Sequence, residues 1–185
     1  MTAPISTERS REERFRAMVL SHLDSAFNLA RWLTRSSQDA EDIVQEAYLR
    51  AFKFFDGFHG EDGRAWLLGI VRNTFYTWYQ QNKAQAQNTQ FEEELNGAHL
   101  EDVADTREHD PEALLIQKDN MRELKLALEG LSVEFREVIV MRELEDLSYK
   151  QIAGIVGIPI GTVMSRLGRG RKQLAGILAG TNRDA

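Results

Sequence analysis

Apolar residues in this chain recur three and four positions apart almost from end to end, and one long stretch interrupts them. That spacing puts them on one face of a helix, whereas a half-buried strand would need strict alternation. No alternating run of useful length occurs, and 3 Pro leave few forced breaks. Phe15, Val19, Leu23, Ala26, Ala30 and Leu33 predict a first helix over about 15–33. Ala40, Ile43, Val44, Ala47, Tyr48, Ala51, Phe52 and Phe55 predict a second, with Ser37 as its N-cap. Asp39, Glu41, Asp42 and Glu46 load acid into its N-terminal half, where the helix dipole favours it. The glycine-rich loop 56–63 precedes a third helix over about 64–81, with Leu67, Ile70, Val71, Thr74, Phe75 and Trp78 inside.

The interruption covers residues 84–111, which are polar, Gln/Asn-containing and acidic. Such a segment buries too little apolar surface to offset the entropy of ordering, so it reads as a flexible acidic linker. The chain is therefore expected to be all-α, with two small helical domains, 1–83 and 112–185, joined by that linker. The second domain opens with a helix over about 112–129, ended by Gly130, and continues with one capped by Ser132. Ser148-Tyr149-Lys150-Gln151 is a capping box that starts a short helix. Gly157-Ile158-Pro159 makes a turn, and a longer helix runs over about 160–178.

A short helix, a three-residue turn with Gly and a longer helix form a helix-turn-helix, whose second helix enters the major groove. The open positions of that helix are Thr162, Ser165, Arg166, Arg169 and Lys172, with Arg171 nearby. Hydroxyl and guanidinium groups there suit base edges and phosphates. A helical hairpin with a solvated basic face is the other reading of the same pattern. In the third helix Arg72 and Asn73 lie beside Tyr76, Thr77 and Tyr79, a cationic and aromatic surface suited to unstacked bases. The same tyrosines could equally pack on a neighbouring helix.

Charge first argues against nucleic acid, because 29 acidic side chains against 23 basic ones give a net −6. Divided by segment, it reverses. Residues 84–112 carry a net −8, while 64–83 carry +3 and 148–185 carry +5, so the two candidate nucleic-acid surfaces are cationic. The acidic run is expected to discourage the free chain from binding DNA non-specifically. There is no Cys, which excludes disulfides and a thiol nucleophile and fits a reducing cytosol. The four His (His22, His59, His99, His109) are scattered, so no metal site is expected. No phosphate-cradling Gly motif, catalytic constellation, signal core or bilayer-length apolar run is visible, so neither cofactor, enzyme activity nor membrane insertion is expected.

Three blocks then resemble one family in order. Residues 39–52 (DAEDIVQEAYLRAF) resemble the core-binding helix of bacterial sigma factors, and 64–74 (RAWLLGIVRNT) their promoter-melting helix. Residues 147–153 (LSYKQIA) and 158–167 (IPIGTVMSRL) resemble their C-terminal helix-turn-helix. The short two-domain plan resembles the extracytoplasmic-function (ECF) group of the sigma-70 family. The resemblance implies a cytoplasmic, non-catalytic subunit that directs core RNA polymerase to promoter DNA in a stress or environmental response. Residues 1–83 would then be sigma region 2 and residues 112–185 sigma region 4.

By resemblance, Asp39, Asp42, Gln45, Glu46 and Arg50 would dock on the β′ clamp of core polymerase, whose β flap is a further expected contact. Phe58, His59, Arg72, Asn73, Tyr76 and Thr77 would hold the −10 element, with Trp66 in the core. Thr162, Ser165, Arg166, Arg169, Arg171 and Lys172 would read the −35 element. An anti-sigma factor is the further partner implied. Gly168 and Met164 depart from the family pattern, which usually has larger or basic residues there. The alternatives are a stand-alone helix-turn-helix regulator, which leaves the acidic helix unexplained, and an enzyme built on Asp42 and Glu46, for which no base sits beside a substrate site.

Overall fold

The structure, a computed structural model, describes residues 5–88 and 111–181. Eight α-helices occupy the described residues: α1 (Ile5–Met18), α2 (Leu23–Thr34), α3 (Ser37–Phe54), α4 (Gly63–Asn88), α5 (Pro111–Glu129), α6 (Val133–Ile139), α7 (Tyr149–Val156) and α8 (Ile160–Thr181). The all-α expectation is met, and no strand occurs among the described residues. Residues 89–110, most of the expected linker, lie outside them.

In the N-terminal half α2, α3 and α4 pack on one another. Ala26, Leu29, Ala30, Ile43, Ala47, Leu67, Leu68, Val71 and Phe75 form their shared core. The cap of α3 is Ser36, not Ser37: its hydroxyl accepts the Asp39 N–H at 3.2 Å, while Ser37 is already helical. Arg35, just before it, closes α2 in the left-handed region (φ 63). α4 continues to Asn88, past the domain end expected at residue 83, because Ala84-Gln85-Ala86-Gln87 are good helix formers.

The single helix expected over 15–33 is divided. α1 stops at Met18, a 3₁₀ turn covers Leu20–His22, and α2 starts at Leu23. No Gly or Pro marks that break, and its causes are tertiary. Val19 is fully buried, and its carbonyl accepts the Tyr48 hydroxyl at 3.1 Å. The start of α4 presses against the same place, since a Cβ on Gly63 would lie 2.1 Å from the Met18 carbonyl oxygen. Leu23, expected inside, is 43% exposed as a result.

In the C-terminal half α8 packs on α5, α6 and α7. Ser132 holds the N-cap position of α6 without a side-chain bond, whereas the capping box of α7 forms as expected, with both reciprocal bonds. Gly157 adopts φ 74, a conformation Gly reaches without strain, and turns the chain from α7 into α8. After α6 the helix widens into a π turn, Val140–Leu144, in which the Glu145 N–H reaches back to the Val140 carbonyl.

The two halves also pack together, α4 against α7 and α2 against α6. Arg136, 3% exposed, reaches from α6 to the Leu33 carbonyl at the end of α2 and to the Leu131 carbonyl. Burial, and then Arg35 nearby, lowers its pKa to about 10.

Candidate nucleic-acid interface

The start of α4 is set by Asp62. Its carboxylate accepts the Ala65 N–H at 2.9 Å, and its other oxygen accepts the Gln151 side-chain N–H at 2.6 Å. Partial burial acts to raise its pKa, but these two bonds and Arg64 outweigh that and hold it below the usual value. Immediately before, the loop residue Phe58 stacks on Trp66 with ring centroids 4.5 Å apart and also lies against Phe55. Trp66 therefore packs inward, as expected, while Phe58 is half-buried and His59 is exposed.

Along α4, Asn73 and Thr77 are exposed, with the Thr77 hydroxyl donating to the Asn73 carbonyl at 3.0 Å. Arg72 and Tyr76 differ from the open surface read from the sequence. The Arg72 guanidinium lies 4.5 Å over the Tyr76 ring. It donates to both oxygens of Glu137 at 2.7 and 3.1 Å, and the Tyr76 hydroxyl donates to the same carboxylate at 3.2 Å. Glu137 is 0% exposed. Burial, then the adjacent Glu137 charge, pushes the Tyr76 hydroxyl up to about 12. Burial acts to lower the pKa of Arg72, but Glu137 outweighs it and the net shift is upward. Sequence reading missed this because Glu137 stands on α6, 65 residues away along the chain.

α8, the longer helix after the Gly157 turn, presents Ser165, Arg169 and Lys172 on an exposed face, with Thr162 half-buried beside them. Ser165 donates back to the Thr162 carbonyl at 3.0 Å. The two remaining cations are engaged within the chain. Arg166 lies 3.6 Å from Glu137, and Arg171 pairs with Glu143 at 2.5 Å, a bond that raises its pKa. Two apolar side chains join the open face, Ile160 (47% exposed) and Met164 (54%). Such groups can contact thymine methyls. Gly168 faces open space.

On α3 the expected contact residues Asp42, Gln45 and Glu46 are exposed, and Arg50 pairs with Glu46 at 2.8 Å. Beside them stand Leu49 (63% exposed) and Phe54 (60%), which sequence reading did not single out. Their signal was there, since both fall outside the buried stripe of α3. Phe52, expected inside, is 42% exposed and carries the Arg11 guanidinium 4.4 Å over its ring. A charged face studded with apolar side chains suits a protein partner. No group of acids and imidazoles able to hold a metal occurs among the described residues, and none of their helices is long and apolar enough to cross a membrane.

The Sigma-70 region 2 family matches residues 18–85, and Sigma-70 region 4 matches residues 121–174. Among curated relatives, the ECF RNA polymerase sigma-E factor of Escherichia coli K12 is 32% identical over 144 residues, 75% of this chain and 73% of its own length. That of Haemophilus influenzae is 34% identical, covering 79% and 77%. The ECF sigma factor SigE of Mycolicibacterium smegmatis is 31% identical over 88% of this chain but only 60% of its own length. Among solved structures, the sigma factor RpoE from Bartonella quintana, in complex with the anti-sigma factor NepR, aligns at TM-score 0.70. It is 29% identical and covers 90% of this chain and 98% of that one. CnrH, in complex with the cytosolic domain of CnrY, shares the fold at TM-score 0.59 and 21% identity, covering 94% of this chain and 90% of its own.

Proposed function

The chain belongs to the extracytoplasmic-function RNA polymerase sigma factors of the sigma-70 family, and we propose that it recruits core RNA polymerase to promoters and initiates transcription without covalent chemistry of its own. The observation that carries this reading is the pairing, in one chain, of an exposed acidic and apolar α3 face with a basic recognition helix in a capped helix-turn-helix. Asp39, Asp42, Gln45, Glu46 and Arg50, joined by Leu49 and Phe54, would dock on the β′ clamp, and the C-terminal domain on the β flap. Phe58, His59, Arg72, Asn73, Tyr76 and Thr77 would hold the melted −10 strand, where each stacked base contributes about 1–3 kcal/mol. Thr162, Ser165, Arg166, Arg169, Arg171 and Lys172 would lie along the −35 major groove. The domains proposed are 1–83 for polymerase and −10 binding, 84–111 as the acidic linker and 112–185 for the −35 element.

An anti-sigma factor is proposed as a regulatory partner, since RpoE and CnrH were solved with proteins bound to them. A cytoplasmic location and a stress or environmental trigger go with that reading. The test is transcription by core polymerase on a randomised promoter library. The chain should co-elute with core enzyme and select one promoter class. Arg169→Ala should weaken the footprint at the −35 end only. Failure to co-elute would sink the sigma reading and favour a stand-alone regulator.

A further inference from the structure

Two buried carboxylates of the C-terminal half meet two arginines of α4. Glu137, 0% exposed, takes Arg72, and Glu145, 5% exposed, takes Arg64 at 2.5 Å. Glu145 also accepts from the Asn28 side chain, and its carbonyl accepts a second Arg64 N–H at 2.8 Å. Both the arginines and the carboxylates are eight residues apart, and they pair in opposite chain directions (64 with 145, 72 with 137). Eight residues of helix span about 12 Å, so the two pairs fasten the ends of one extended contact rather than one point.

The residues consumed are the ones the proposed function needs. Glu137 faces Arg72 and Tyr76 from the −10 surface and Arg166 from the −35 helix, so one carboxylate neutralises cations of both DNA-binding elements. We propose that Glu137 and Glu145 are a latch holding the two halves closed, and that the chain alone is kept from promoter DNA by this closed form until a partner separates the halves. A buried ion pair adds little net stability but strongly penalises loss of one partner. Here the penalty has an escape: when a carboxylate is neutralised, the halves part and the stranded arginine regains water. The inference rests on the sigma reading only for the identity of the DNA.

The absence of Cys gives a direct test, because Glu41→Cys and Gln173→Cys place single spin labels on exposed sites of α3 and α8. Electron–electron double resonance on the whole chain should give one narrow distance distribution. E137Q/E145Q should lengthen and broaden it, and so should E145Q alone if the double variant melts early by circular dichroism. If the closed form occupies roughly 90% of free molecules, opening should raise affinity for a promoter duplex about tenfold. A charge-matched control, E134Q/D146N, alters exposed acids and should leave the distance unchanged. With core polymerase bound, E137Q/E145Q should initiate as well as wild type. An unchanged distance, an open form with unchanged DNA affinity, or an initiation defect of the variants in holoenzyme would each overturn the latch. Wild-type chain inactive with core polymerase would instead overturn the sigma reading, while the distances still report on the latch.

Discussion

Gly168 sits in the middle of a 22-residue helix with nothing near the place a Cβ would occupy. Its backbone freedom serves no turn, so Gly168→Ala should raise the unfolding free energy by about 1 kcal/mol, read by urea denaturation. A smaller gain would mean that the unfolded chain is already restricted there. Asp62 works the other way. Asp62→Ala removes the cap of α4 and should cost about 1 kcal/mol. Because the folded pKa of Asp62 is lowered, its contribution is present above its unfolded pKa and lost as pH falls through the folded one. The gap in Tm between wild type and variant should therefore close below about pH 4. A gap that persists in acid would assign the effect to the Ala65 turn and not to the carboxylate.

Most helices were legible in the sequence because their apolar spacing and their caps agree, as at Ser148 and Gln151. What was not legible came from contacts between distant elements. The break between α1 and α2 has no local marker and follows from Val19, Tyr48 and Gly63 meeting. The π turn after α6 leaves no periodic trace in so short a stretch. For the candidate site, residue types on α8 and α3 could be read from spacing, but the occupation of Arg72, Tyr76 and Arg166 could not, since it depends on how the halves meet. The face of α3 gives its own test. Asp42→Lys with Glu46→Lys should weaken binding to core polymerase at least tenfold, with an unchanged helical circular dichroism spectrum, because only exposed side chains change. Unaltered affinity would move the docking face elsewhere.

Across the chain, charge is sorted more sharply than its net −6 suggests. Replacing Glu92, Glu93 and Glu94 with Gln should raise the affinity of the free chain for random duplex, measured by fluorescence anisotropy at low salt. The gain should fade as the screening length drops below about 8–10 Å. No gain at any salt would leave the acidic run without a role in restraint. The widened turn at Val140–Leu144 bears on how the halves meet in a different way. Eight residues of regular helix would leave Glu145 about 80° around the axis from Glu137. One extra residue in a turn takes back roughly 100° of winding, which brings the two carboxylates to within about 20° of a single line. The π turn thus acts as a phase adjuster: the same residues wound as regular helix would swing Glu145 about 80° around the axis, away from Arg64, without touching either charge.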